Sequence, residues 1–153
     1  MGFTLSKIFG KKSSETKINH NDTVEAIISD VENNPFGLSE KNVLYAGLNE
    51  LGGYYFFQTV IVGDLYVKSK VGATLNFNGE NFEMQLKSDM PEFESERSSI
   101  KGRHVTKIDF QIEEADIKLL EEAKLNSIEL NVKKHDILFT KSNVPEVISE
   151  EEE

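Results

Sequence analysis

From residue 54 to residue 86 apolar and polar side chains alternate, the period of strands that lay one face on a core. Residues 54–62, YYFFQTVIV, are apolar on both parities, which predicts a strand covered on both faces. Leu65 and Val67 then point one way, with Tyr66, Lys68 and Lys70 the other. Ala73, Leu75 and Phe77 alternate with Thr74 and Asn76, and Phe82, Met84 and Leu86 with Glu83, Gln85 and Lys87. A two-residue turn at Asn78-Gly79 sets Leu75 opposite Phe82 and Ala73 opposite Met84, so both strands present apolar groups to one face.

A helix is predicted over 22–33. Asp22 and Glu25 have capping-box spacing, Val24, Ile27, Ile28 and Val31 share one face, and Asn33-Asn34-Pro35 ends the run. Residues 39–51 fit two readings, and a helix capped by Ser39 and carrying Leu44, Leu48 and Leu51 up to Gly52-Gly53 is preferred to a strand over 43–48. Residues 88–102 form a polar connection or an irregular edge. A strand follows at 104–113, with Ile108, Phe110 and Ile112 inward and Lys107, Asp109 and Gln111 outward. Residues 114–124 read as a short helix with acids in its first turn and Lys124 in its last, the order the helix dipole favours. A closing hairpin sets Ile128, Leu130 and Val132 beside Ile137 and Phe139 around a turn at Lys134-His135.

The expected fold is mainly β (α+β by content). It is an antiparallel β-sandwich or open barrel of about seven strands, with an N-terminal helix and a short helix before the last hairpin. The stretch 108–132, IDFQIEEADIKLLEEAKLNSIELNV, resembles the closing unit of many small bacterial β-sandwich proteins, a likeness of pattern that carries no residue role.

At 153 residues the chain is one domain long and can bury about two-thirds of its unfolded surface. Its ends differ from its middle. Residues 1–20 read as a flexible basic arm, 21–142 as one β-rich domain and 143–153 as an acidic disordered tail. The net charge of -10, with Arg97 and Arg103 the only arginines, argues against nucleic acid as a partner. Cysteine is absent, which excludes disulfides, thiol nucleophiles and thiolate metal sites. No run of about eighteen apolar residues suits a transmembrane helix and no secretory signal is visible, so the expected location is the cytoplasm.

The first six residues match Met-Gly-x-x-x-Ser, the pattern for N-myristoylation at Gly2, and Lys7, Lys11, Lys12 and Lys17 supply an electrostatic second signal. Membrane contact would fall to Phe3, Leu5, Lys7, Ile8, Phe9, Lys11 and Lys12; the plainer reading is a basic arm. This stretch resembles the N-terminal helix of ADP-ribosylation-factor-like small GTPases. The chain has no Gly-x-x-x-x-Gly-Lys-Ser/Thr loop, so a GTPase is excluded.

Asp89, Glu92, Glu94 and Glu96 gather oxygen ligands that suit calcium, beside the plainer reading of an edge protected by charge. His20, His104 and His135 have no metal-binding spacing, although folding could bring His104 to Asp64 or Glu94 as an acid–base pair. Tyr66, Lys68 and Lys70, with Thr74 and Asn76, form a candidate contact face. No serine sits in a nucleophile elbow, no catalytic residue is assigned, and no cofactor is expected. The expected function is a non-catalytic cytoplasmic domain that works by contact with another protein. The alternatives are a peripheral membrane protein attached through residues 1–17, and a small-molecule binder or hydrolase with its pocket between sheet and helices.

Overall fold

The centre of the molecule is a pair of long strands, and it begins where a helix was expected. A computed structural model describes residues 22–142, and in it β2 runs over Asn42–Leu51 and β3 over Tyr54–Gly63, paired antiparallel from Asn42↔Gly63 to Leu51↔Tyr54. The helix expected over 39–51 is therefore corrected to a strand. Ser39 does what a helix cap would do: its Oγ accepts from the Asn42 N–H at 2.9 Å, and it also donates to the Asn42 carbonyl at 3.0 Å. The chain beyond it stays extended because both parities are apolar. Leu44 and Leu48 face the inner core while Val43 and Tyr45 face an outer one, a demand no single helix face meets. Gly52 and Gly53 then turn the chain at φ of 63° and 86°.

The other elements follow this pair. Helix α1, Val24–Asp30, precedes β1, Gly37–Leu38. After β3 come β4 (Lys68–Ser69), β5 (Thr74–Gly79), β6 (Phe82–Lys87), β7 (Phe93–Glu94), β8 (Glu96–Arg97) and β9 (His104–Ile112). Helix α2, Glu114–Glu122, leads into β10, Leu125–Val132, and β11, His135–Lys141. The strands form a nine-stranded sheet in the order β6-β5-β10-β11-β1-β2-β3-β9-β8, with β4 and β7 as a separate two-stranded ribbon. The sheet curls into an antiparallel half-barrel, and the end of β6 returns to β9 through the bridge Ser88↔Phe110. The fold is thus on the open-barrel side of the expectation, with more strands than the expected seven.

Side chains fill the barrel. Phe57 lies in the interior, edge-to-face with Phe36 at 5.5 Å and with Phe77 at 5.3 Å. Leu75, Phe77, Phe110, Ile128, Leu130 and Phe139 are fully buried around it. Leu65 and Val67 are buried while Tyr66, Lys68 and Lys70 are exposed, the alternation that was expected. That segment is pinned by Asn42, which accepts from the Leu65 N–H and donates to Asp64, both at 3.0 Å.

Both hairpins keep the expected faces and lose the expected turns. Observed pairs are Leu75↔Leu86 and Phe77↔Met84, so the first turn is Glu80-Asn81, with Asn81 at φ 49°. Gly79 is used differently. A Cβ there would stand 2.2 Å from the Lys124 carbonyl, so glycine permits the close pass of the chain entering β10. The last hairpin turns at Lys133-Lys134, with Lys133 at φ 52°, which pairs Leu130 with Ile137 and Ile128 with Phe139. A register displaced by an even number of residues leaves every side chain on its face, so alternation alone does not locate the turn.

The helices are shorter than expected. Thr23, not Asp22, caps α1, its Oγ1 accepting from the Ala26 N–H at 3.1 Å, and Val31 is already extended. Helix α2 ends at Glu122, so Lys124 lies beyond its last turn, because the chain must extend into β10. Helix α1 lays Val24, Ile27, Ile28 and Val31 on Val43, Tyr45, Val60, Val62 and Val105, the outer face of β2, β3 and β9.

Candidate functional site

The residues singled out from sequence fall in different places. Asp89 is held by its backbone N–H on the Asp109 carbonyl at 2.8 Å, Glu94 stands opposite Lys68 and Glu96 opposite Val105. Glu92 lines an outer groove of about 390 Å³ with Met90, Lys107 and Asp109. Among the described residues no three acidic or histidine side chains converge to hold a metal ion. In that groove burial pushes the Asp109 carboxyl above its usual range, Asp89 adds to this, and a hydrogen bond from Gln58 opposes it.

Tyr66, Lys68 and Lys70 are exposed, but Thr74 and Asn76 do not extend their face as open donors and acceptors. Asn76 donates to Asn131 at 2.7 Å and accepts from Gln85 at 2.8 Å, and Thr74 donates to the same Asn131 oxygen at 3.5 Å. Tyr66 packs its ring on His104 with centroids 5.0 Å apart. His104 Nδ1 is buried without a hydrogen-bond partner, and Asp64 is bonded to Asn42 instead. The membrane-contact candidates Phe3, Leu5, Lys7, Ile8, Phe9, Lys11 and Lys12 lie outside the described residues, as does His20. No helix among the described residues is long and apolar enough to cross a membrane.

Two features escaped the sequence. Arg103 is buried at 1% exposure just before β9 and reaches back to the start of the domain. Its Nε and Nη2 donate to the two oxygens of Asp22, and its Nη1 donates to Asp30 at 2.9 Å. Burial disfavours its charge, yet the bonds to Asp22 and Asp30 outweigh this and hold the guanidinium above its ordinary range. This triad clamps both ends of α1. Beneath it burial pushes the Tyr45 phenol well up.

The second feature is a cleft of about 570 Å³ at the mouth of the half-barrel, under α2. Phe36, Ala46, Leu48 and Phe57 form its floor, and Leu120, Ala123 and Leu125 its roof. Glu121, Lys124 and Lys141 complete the lining. Lys141 Nζ lies 4.8 Å above the centroid of the Phe36 ring and donates to the Ser142 carbonyl at 3.1 Å. The lining holds no serine, histidine or tyrosine; its polar groups are one carboxylate and two ammonium groups beside apolar surface. The only sequence trace of the cleft is Phe36, a large apolar residue outside every expected element.

The fold is a mainly β half-barrel that carries this partly apolar cleft. The chain matches no protein-family model, no curated protein and no solved structure.

Proposed function

We propose that this is a non-catalytic binding domain that holds an apolar group of a partner molecule in the mouth cleft. The observation that carries this is the contrast between a barrel filled with side chains and a cleft where Phe36 and Leu48, packed against that core, stay half-covered. Its volume lies in the range of pockets that take small ligands or a single anchoring side chain.

The test is a titration of the full chain with neutral 1-decanol, followed by amide chemical shifts. Shifts should concentrate at Leu48, Leu120 and Leu125, and Ala46→Leu, which adds bulk into the cleft, should weaken them at least roughly fivefold, the scale of a methylene-sized misfit. Shifts spread over the outer sheet, or untouched by Ala46→Leu, would sink the reading.

A further inference from the structure

We propose that the occupant of the mouth cleft is a medium-chain carboxylate, its chain on Phe36 and Leu48 and its head at the Lys141 ammonium. This rests on the cleft being a binding site and adds the class of ligand. The argument is charge complementarity at a half-buried position. Lys141 ends β11, and its ammonium is held by the Phe36 ring face and the Ser142 carbonyl. An ammonium has three donors and the Ser142 carbonyl takes one, so donor capacity remains. Among the described residues no carboxylate pairs with it.

Lys124 adds a second positive charge to the lining against the single acid Glu121, in a chain whose net charge is -10. A cationic head would be repelled by Lys141, and a neutral head would leave the ammonium without an anion. A lone ammonium, unlike an arginine fork, does not select a planar bidentate group, and it suits a compact monoanionic head.

The experiment compares decanoate, 1-decanol and decylammonium on the full chain at neutral pH, reading the amides of Leu48, Leu120 and Leu125. Decanoate should bind roughly tenfold tighter than 1-decanol, the scale of one charge-assisted hydrogen bond, and decylammonium more weakly than either. Lys141→Gln should erase the preference for decanoate over 1-decanol, and amide shifts of Ile27 and Val105, away from the cleft and unchanged from the parent, would show that the variant is folded. Equal binding of decanoate and 1-decanol would overturn the carboxylate assignment and leave the cleft reading standing. A preference that survives Lys141→Gln would overturn the role of that lysine. Silence at the cleft amides with all three probes would overturn the cleft reading itself.

Discussion

Helices α1 and α2 each roof part of the same sheet, one as a seal and the other as a loose cover. Under α1 the contact is closed: Ile27, Val43 and Val62 are at most 1% exposed, and Arg103 locks the helix at both ends. Helix α2 also buries one of its residues, Leu120 at 7% exposure, but it has no side-chain cap, and Phe36, Leu48 and Leu125 beside it stay half-covered. Both are short, and neither would persist alone in water. The difference is therefore one of tertiary contacts, and it separates a structural element from a candidate site.

The largest effect expected on this comparison comes from breaking the seal. Arg103→Met keeps the bulk of the side chain but leaves Asp22 and Asp30 without their cation. Removing one partner of a buried ion group costs about 3–5 kcal/mol, and the low end applies because Asp30 is 28% exposed and can hydrate. Urea unfolding should show this loss, and adding Asp22→Asn and Asp30→Asn to Arg103→Met should recover most of it. If Arg103→Met were neutral, α1 would be held by its apolar face alone.

A smaller contrast concerns the buried residue of each helix. Ile27→Ala removes a side chain from a closed contact and should cost about 3–4 kcal/mol, whereas Leu120→Ala should cost about 2 kcal/mol because it borders open volume already. Leu120→Ala should also enlarge the cleft and change probe affinity, which Ile27→Ala should not. Equal stability losses with equal effects on binding would remove the distinction between the two roofs.

What the residues revealed in advance follows the same division. Strand β9 was legible because its parities separate inner from outer side chains, as Ile108, Phe110 and Ile112 do, and β3 because both its parities are apolar. The apolar face of α1 was legible for the same reason. Strand β2 was not, since Leu44 and Leu48 fit a helical spacing as well as an inner strand face, and only the partner strand decides. The two hairpin turns were displaced because period-two patterns are blind to even shifts, and because Gly79 serves a close approach rather than a turn. Arg103 meets Asp22 across 81 positions, which local pattern cannot anticipate. The cleft draws on Phe36, β2, β3, α2, the start of β10 and β11, segments that only folding gathers.

The caps sharpen the comparison with the smallest effect. Thr23 caps α1 through the Ala26 N–H, so Thr23→Ala should cost about 1 kcal/mol in thermal or urea unfolding. Helix α2 starts at Glu113, whose backbone carbonyl accepts from the N–H groups of Asp116 and Ile117 while its side chain makes no cap bond. Serine at this exposed position can supply that bond without disturbing a packed group, so Glu113→Ser should stabilise the chain by about 0.5–1 kcal/mol. The two substitutions thus have opposite signs at equivalent positions, which follows from one helix having its cap and the other lacking it. If Glu113→Ser brought no gain, the looseness of α2 would lie in its packing over the cleft rather than in its first turn.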